Sequence, residues 1–242
     1  MLSNDTLIFV AALLPVLIAL YIIYRKDKNN PEPTWQLVKA LFFGVLSAPL
    51  SMLLSVPFKE MGLYNEESTT ITGQLALAFF GAAIPEECLK FLMLWLVVRN
   101  NRHFDEHFDG IVYAVCVGLG FAGLENLLYL FGNMEEWVSV AILRSLLTVP
   151  GHYAFAILMG YYYSKYHFVD RSRKTAAMII VAPVLVHGLY DALLMTSGIN
   201  ATLGGVCFII VVVLTCKLHK YARKKVLAMI DADKTIGGEM LG

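Results

Sequence analysis

The chain has 242 residues, 58% of them hydrophobic, and carries as many Lys and Arg (19) as Asp and Glu (19). That apolar fraction lies above the range of an ordinary soluble domain, and a formal net charge of zero provides no field for nucleic acid or an acidic partner. The four cysteines, Cys88, Cys116, Cys207 and Cys216, fall inside apolar segments without disulfide or metal spacing, so they read as small hydrophobes.

Seven apolar runs of spanning length follow one another. The first, residues 5–24, comes after a start (Met-Leu-Ser-Asn-Asp) that lacks the positive region of a secretory signal, and is expected to be retained. Asn29-Asn30-Pro31-Glu32-Pro33 forms a turn that restarts a helix near Trp35, opening the second run, 35–56. The third, 73–98, holds Glu86 and Glu87 near its middle and Lys90 one turn later. Each ionised group at that depth costs about 2.5–3.5 kcal/mol, and such residues mark functional sites by default. Pro85 loosens the helix where the carboxylates sit.

The fourth run, 110–131, places Glu125 and Asn126 after Gly118-Leu119-Gly120-Phe121-Ala122-Gly123. In the fifth, 138–163, Arg144, Thr148, His152, Ala156 and Gly160 recur every four residues, a polar and small stripe that faces other helices rather than lipid. The sixth, 175–197, has Pro183, His187 and Asp191 at the same spacing. The seventh, 201–216, is short, about 24 Å at the helical rise. A basic helix (Lys217, Lys220, Arg223, Lys224, Lys225) follows, suited to lipid headgroups, and then a Gly-rich end expected to lack fixed structure. The division is thus a transmembrane domain, 1–216, and a tail, 217–242.

Loop charges set the expected orientation. Sixteen Lys and Arg flank one side of the runs against Lys59 alone on the other, with Lys90 and Arg144 inside spans. The positive-inside rule gives an extracellular N-terminus and a cytoplasmic C-terminus. The fold class is an all-α polytopic membrane protein of about seven transmembrane helices. Counted from the extracellular ends, Glu86 and His152 lie roughly 18–20 Å deep, His187 about 15 Å, and Glu125 and Asp191 about 9 Å. Groups from four helices at these heights predict one polar cavity opening outward.

Each group has a plainer reading: a Glu–Lys90 structural ion pair, an Arg144–carboxylate tie, a His187–Asp191 bond within one helix, Asn126 as an interhelical donor. A scaffold needs one or two such contacts, and eight accumulate here. No serine or cysteine has a nucleophile's surroundings, so the set points to activated water. One glutamate held by Lys90 leaves its neighbour to move protons, while His152 and His187 hydrogen-bond a developing oxyanion. Alternatively His152 and His187 with Glu87 and Glu125 make a zinc site with an open position. No cofactor is required in the first reading, and zinc is admitted by the second. A proton- or cation-coupled transporter also uses intramembrane carboxylates and imidazoles, but no inverted repeat or matched pair of broken spans is visible. A non-catalytic helical scaffold is the third alternative.

Pro85-Glu86-Glu87-Cys88-Leu89-Lys90, His103-Phe104-Asp105-Glu106-His107-Phe108-Asp109-Gly110, Gly120-Phe121-Ala122-Gly123-Leu124-Glu125-Asn126, Arg144 with Pro150-Gly151-His152, and His187-Gly188-Leu189-Tyr190-Asp191 resemble, in order, the motifs of the PrsW family of bacterial intramembrane proteases. That family is related to CAAX prenyl proteases and abortive-infection proteins. Those relatives usually have Arg at the position of Lys90 and Asn at that of Glu125. The resemblance implies a multi-pass protein of the bacterial cell membrane that makes the first cut in a single-span anti-sigma factor near its extracellular side. Its essential positions fall on Glu86, Glu87 and His187, with Glu125 and His152 at further motif positions. Lys90, Arg144, Asn126 and Asp191 then orient these groups, and Asp109 is a helix N-terminal residue.

Overall fold

The computed structural model describes residues 3–28 and 30–240, apart from the side chains of 236–240, and is helical with no strand among the described residues. Its helices are α1 (Asn4–Lys26), α2 (Thr34–Glu60), α3 (Ile71–Ala76), α4 (Ile84–Val98), α5 (Asp109–Gly132), α6 (Trp137–Leu143), α7 (Val149–Ser164), α8 (Arg173–Thr196) and α9 (Ala201–Met240). π-helical segments join α3 to α4 (Leu77–Ala83) and α6 to α7 (Arg144–Thr148), and a third (Lys165–Val169) extends α7. Six stretches are long and apolar enough to cross a membrane: α1, α2, α5, the run Trp137–Val169, α8 and Ala201–Thr235. The expected third span is helical from Ile71 to Val98, but Glu86, Glu87 and Lys90 reduce its hydropathy, and it is not one of the six.

α5 is the axis of the bundle, buried continuously from Asp109 to Gly123. Glycines let its neighbours reach its backbone. A Cβ on Gly44 of α2 would lie 2.0 Å from the Val117 carbonyl oxygen, and one on Gly120 of α5 would lie 2.1 Å from that of Leu41. On the opposite face, a Cβ on Gly160 of α7 would lie 2.3 Å from the Gly110 oxygen. Small residues of this kind allow the backbone approach on which helix packing in lipid depends. Side chains without such neighbours face outward, among them Phe9, Leu17, Phe42, Leu53 and Ile209. Gly44→Ala is expected to lower stability by about 1–3 kcal/mol through overpacking, measured by thermal unfolding in detergent. Gly132→Ala, where nothing lies within 4 Å, is the control that should leave the transition in place.

The seventh apolar run and the basic helix after it form one continuous helix. α9 continues unbroken to Met240, where an irregular Gly-rich end was expected, and Leu241 and Gly242 lie outside the described residues. A single buried stripe explains the continuity: Val211, Leu218, Ala222, Val226 and Met229 all join the main apolar core, with α9 packed against α7 and α8. Lys217, Lys220, Arg223 and Lys224 stay exposed on the other face. Asp233 then accepts hydrogen bonds from the His107 and Phe108 amides at 2.8 and 2.9 Å, pinning α9 beneath the start of α5. Of the cysteines, Cys116 and Cys207 are buried, Cys88 is half-buried and Cys216 is exposed on the outer face of α9.

Candidate active site

Proline shapes both helices that deliver the reactive groups. Pro85 and Pro150 have no amide hydrogen, and their rings crowd the preceding turn. The chain answers with a wider i→i+5 turn immediately upstream. The Ile84 amide bonds to the Phe79 carbonyl, and the Val149 amide to that of Arg144. α4 therefore opens on Pro85-Glu86-Glu87, and α7 on Val149-Pro150-Gly151-His152.

Adjacent glutamates point about 100° apart on a helix, and they have different surroundings. Glu86 lines a cavity of about 650 Å³ together with Glu125 and Phe121, and that cavity reaches Lys59, Glu66 and Asn133 at one end of the bundle. Glu87 is turned inward, its side chain 1% exposed. Its Oε1 accepts from Lys90 Nζ at 2.9 Å and lies 2.8 Å from His187 Nδ1. Lys90 Nζ also donates to Glu86 Oε2 at 3.0 Å and lies 3.9 Å above the Phe121 ring.

Hydrogen-bond inventory fixes one imidazole. Lys90 offers only donors, so His152 Nδ1, 3.3 Å away, accepts, and the ring proton sits on Nε2. That nitrogen donates to Glu125 Oε2 at 2.9 Å. Arg144 Nη2 reaches the same oxygen at 2.7 Å, Arg144 Nε donates to Asn126 Oδ1 at 2.7 Å, and Asn126 Nδ2 donates to the Ala12 carbonyl at 3.0 Å. On the other side, His187 Nε2 lies 3.1 Å from Asp191 Oδ2 and 3.8 Å from Glu86 Oε2. Both nitrogens of His187 thus face carboxylates, and a ring carrying two protons satisfies both. Phe155 stacks on this ring at 4.7 Å.

All nine residues singled out in the sequence (Glu86, Glu87, Lys90, Glu125, Asn126, Arg144, His152, His187 and Asp191) therefore join one network running from α1 to α8. Asn126 is both an interhelical donor to α1 and the prop beneath Arg144. The small-residue stripe on α7 faces α5, with a Cβ on Gly118 falling 2.7 Å from that of Ala156. Phe121 was missed. It stands four residues before Glu125, on the same helical face, so that spacing could have exposed it as the shelf under Lys90.

A family model described as PrsW family intramembrane metalloprotease matches residues 32–216. The chain belongs to the PrsW family. It is a multi-pass bacterial membrane protein and an intramembrane peptidase. Protease PrsW of Clostridioides difficile is 32% identical over 220 residues, which cover 88% of this chain and 91% of that protein. Protease PrsW of Bacillus subtilis is 36% identical over 186 residues, 76% of this chain and 81% of that protein. No solved structure matches the chain.

The PrsW description implies a metal, and the donors here fit one in kind and spacing. Glu86, Glu87, His152 and His187 each offer one ligand atom, all within 4.8 Å of one another. Glu87 Oε2 is buried without a hydrogen-bond partner. Carboxylate and imidazole donors suit zinc. This grouping has Glu86 where the sequence reading had Glu125, whose Oε2 is engaged by Arg144 and His152. Lys90 is the rival cation, since its ammonium already bonds to Glu86, Glu87 and His152, three of the four.

Proposed function

We propose that this PrsW protein hydrolyses a peptide bond in a single-span anti-sigma factor, close to the extracellular side, with the N-terminus of the protease outside and the C-terminus in the cytoplasm. The observation that carries the reading is the cavity: Glu86 and Glu125 line it, and it opens at the end marked by Lys59, Glu66 and Asn133, the lysine-poor side of the loops. A stretch of substrate that leaves its helix at that level meets Glu86 first.

Glu86 takes a proton from water as the water attacks the scissile carbonyl. Lys90 shares its charge between both glutamates and keeps Glu87 a carboxylate, and Glu87 and Asp191 aim the His187 ring. A protonated His187 Nε2, facing Glu86 and Asp191, donates to the oxyanion as it forms. Glu125, fixed by Arg144 and His152, holds the second polar wall, and Glu86 returns the proton it took from water to the leaving amine as the peptide bond breaks. Were zinc bound, Glu86, Glu87, His152 and His187 would hold it, and it would supply a more acidic water and a polarised carbonyl.

Co-expression with a tagged single-span anti-sigma factor tests the assignment. Cleavage should be seen with the wild type and be lost with Glu87→Gln and with His187→Ala, and cleavage persisting in both would reject it. Because Lys90 occupies the centre of the donor set, purified protein is expected to contain less than one equivalent of zinc, or none, by elemental analysis. Stoichiometric zinc, with activity lost to chelator and restored by metal, would establish the metal-dependent version instead.

A further inference from the structure

Far from the cavity mouth, where the α1–α2 turn meets the start of α5, three buried carboxylates have no cation. Asp27 is 3% exposed, Glu32 5% and Asp109 0%. Every carboxylate of the active-site network has a Lys, Arg or His nitrogen within 4 Å, and so does Asp233. Among the described residues, Asp27, Glu32 and Asp109 have none. Uncompensated burial of this kind is costly. Burial pushes the Asp27 carboxyl from its ordinary 3.8 up to about 7 and raises that of Glu32 as well.

Their remaining partners leave oxygen atoms unanswered. Asp109 Oδ2 accepts the Asp105 and Glu106 amides at 3.0 and 2.7 Å, and its Oδ1 is buried without a partner. Among the described residues, Asp27 accepts only the Glu32 amide, at 3.1 Å, and the Tyr113 hydroxyl donates to Glu32. Gln36 donates to Asn101 at 2.7 Å, and its carbonyl oxygen is likewise buried and unpartnered. The donors on offer are therefore all hard oxygens: carboxylates, an amide carbonyl and a phenol. Mg²⁺ and Ca²⁺ take such ligands, and Mg²⁺ commonly binds through one or two carboxylates while keeping several waters. A second cavity, of about 140 Å³, is lined by Asp27, Asn30, Glu106 and Asp233 together with Lys26 and Lys234, and it brings solvent to the Asp27 side of the group.

We propose that Glu32 and Asp109, with Asp27 beside them, hold a hard divalent cation of the Mg²⁺ class at the end of the bundle opposite the active-site cavity. The ion would tie the α1–α2 turn to the first turn of α5, the helix whose other end carries Glu125 and Asn126. It would act as a structural clamp, stabilising the fold by mass action, and take no part in peptide hydrolysis.

The test uses the full chain in detergent, freed of metal by chelator, with Tb³⁺ as the probe and emission excited through tyrosine. The wild type should give saturable emission that Mg²⁺ displaces, and Mg²⁺ should raise its melting temperature. Glu32→Gln and Asp109→Asn should each weaken Tb³⁺ binding by about tenfold or more and remove the Mg²⁺-dependent rise in melting temperature. Glu86→Gln alone, which leaves Lys90 paired with Glu87, should change neither, which separates this site from the catalytic cluster. Tyr113→Phe retains all three carboxylates and should lose most of the sensitised emission while still binding Mn²⁺ by electron paramagnetic resonance. Absence of saturable Tb³⁺ binding to the wild type, equal binding by Glu32→Gln and Asp109→Asn, or undiminished emission from Tyr113→Phe would overturn the proposal. Stability that rises only on acidification would then assign the missing positive charge to protons.

Discussion

Glu86→Gln is expected to slow substrate cleavage by about 10²–10⁴-fold, the range for loss of a positioned general base, while the protein remains folded. The amide keeps a carbonyl oxygen for Lys90 Nζ, which lies 3.0 Å from Glu86 Oε2, and Glu87 still supplies a full negative charge 2.9 Å from the same ammonium. What disappears is the proton acceptor facing the cavity. Glu87→Gln should differ. This side chain touches both Lys90 and His187 from a position closed to solvent, so its loss removes charge compensation along with activity. Cleavage half-life for the tagged substrate, read beside the thermal unfolding temperature, distinguishes the two cases. Activity of Glu86→Gln within a few-fold of the wild type would move the base to Glu125, the other carboxylate on the cavity wall.

Lys90→Met should be the most damaging single change to stability. Lys90 is 3% exposed and bonds to Glu86, Glu87 and His152 at once. Removing one partner from a buried ion pair typically costs about 3–5 kcal/mol, because the other charge is left unpaired. Here two carboxylates lose their shared cation. The expected result is a markedly lower unfolding temperature in detergent, with poor recovery from the membrane. Lys90→Arg, which keeps the charge, should unfold closer to the wild type. A Lys90→Met protein as stable as the wild type would mean that the glutamates are neutralised by something other than this ammonium.

Much of the site could be read from residue type and depth alone. Glu86, Glu87, Glu125, Arg144, His152, His187 and Asp191 stand out because lipid-depth surroundings make each of them expensive, and the structure draws them into one network. The facing of Glu86 and Glu87 could not be read, because neighbouring helical positions diverge by about 100°. It emerged only from what packs around each. A strict four-residue spacing from Arg144 to Gly160 ignored the π-helical turn at Arg144–Thr148. The division drawn after Cys216 came from a change in composition, from apolar to basic. The buried stripe from Val211 to Met229 crosses that change without interruption, and in such a helix the inward face decides where it ends. The acids at Asp27, Glu32 and Asp109 lay in a turn and at a helix start, where carboxylates are commonplace, so their burial carried no warning in the sequence.

The widened turn at Leu77–Ala83 has a consequence for how this catalyst can vary. Such a turn amounts to one supernumerary residue in an otherwise ordinary coil. Shortening it by a single position would swing everything downstream by about 100°, carrying Glu86 off the wall of its chamber with no reactive residue altered. The aim of the carboxylate is thus encoded upstream of the carboxylate, in a length rather than in a side chain, and tolerance to insertion or deletion there should be far lower than tolerance to exchange of one apolar residue for another.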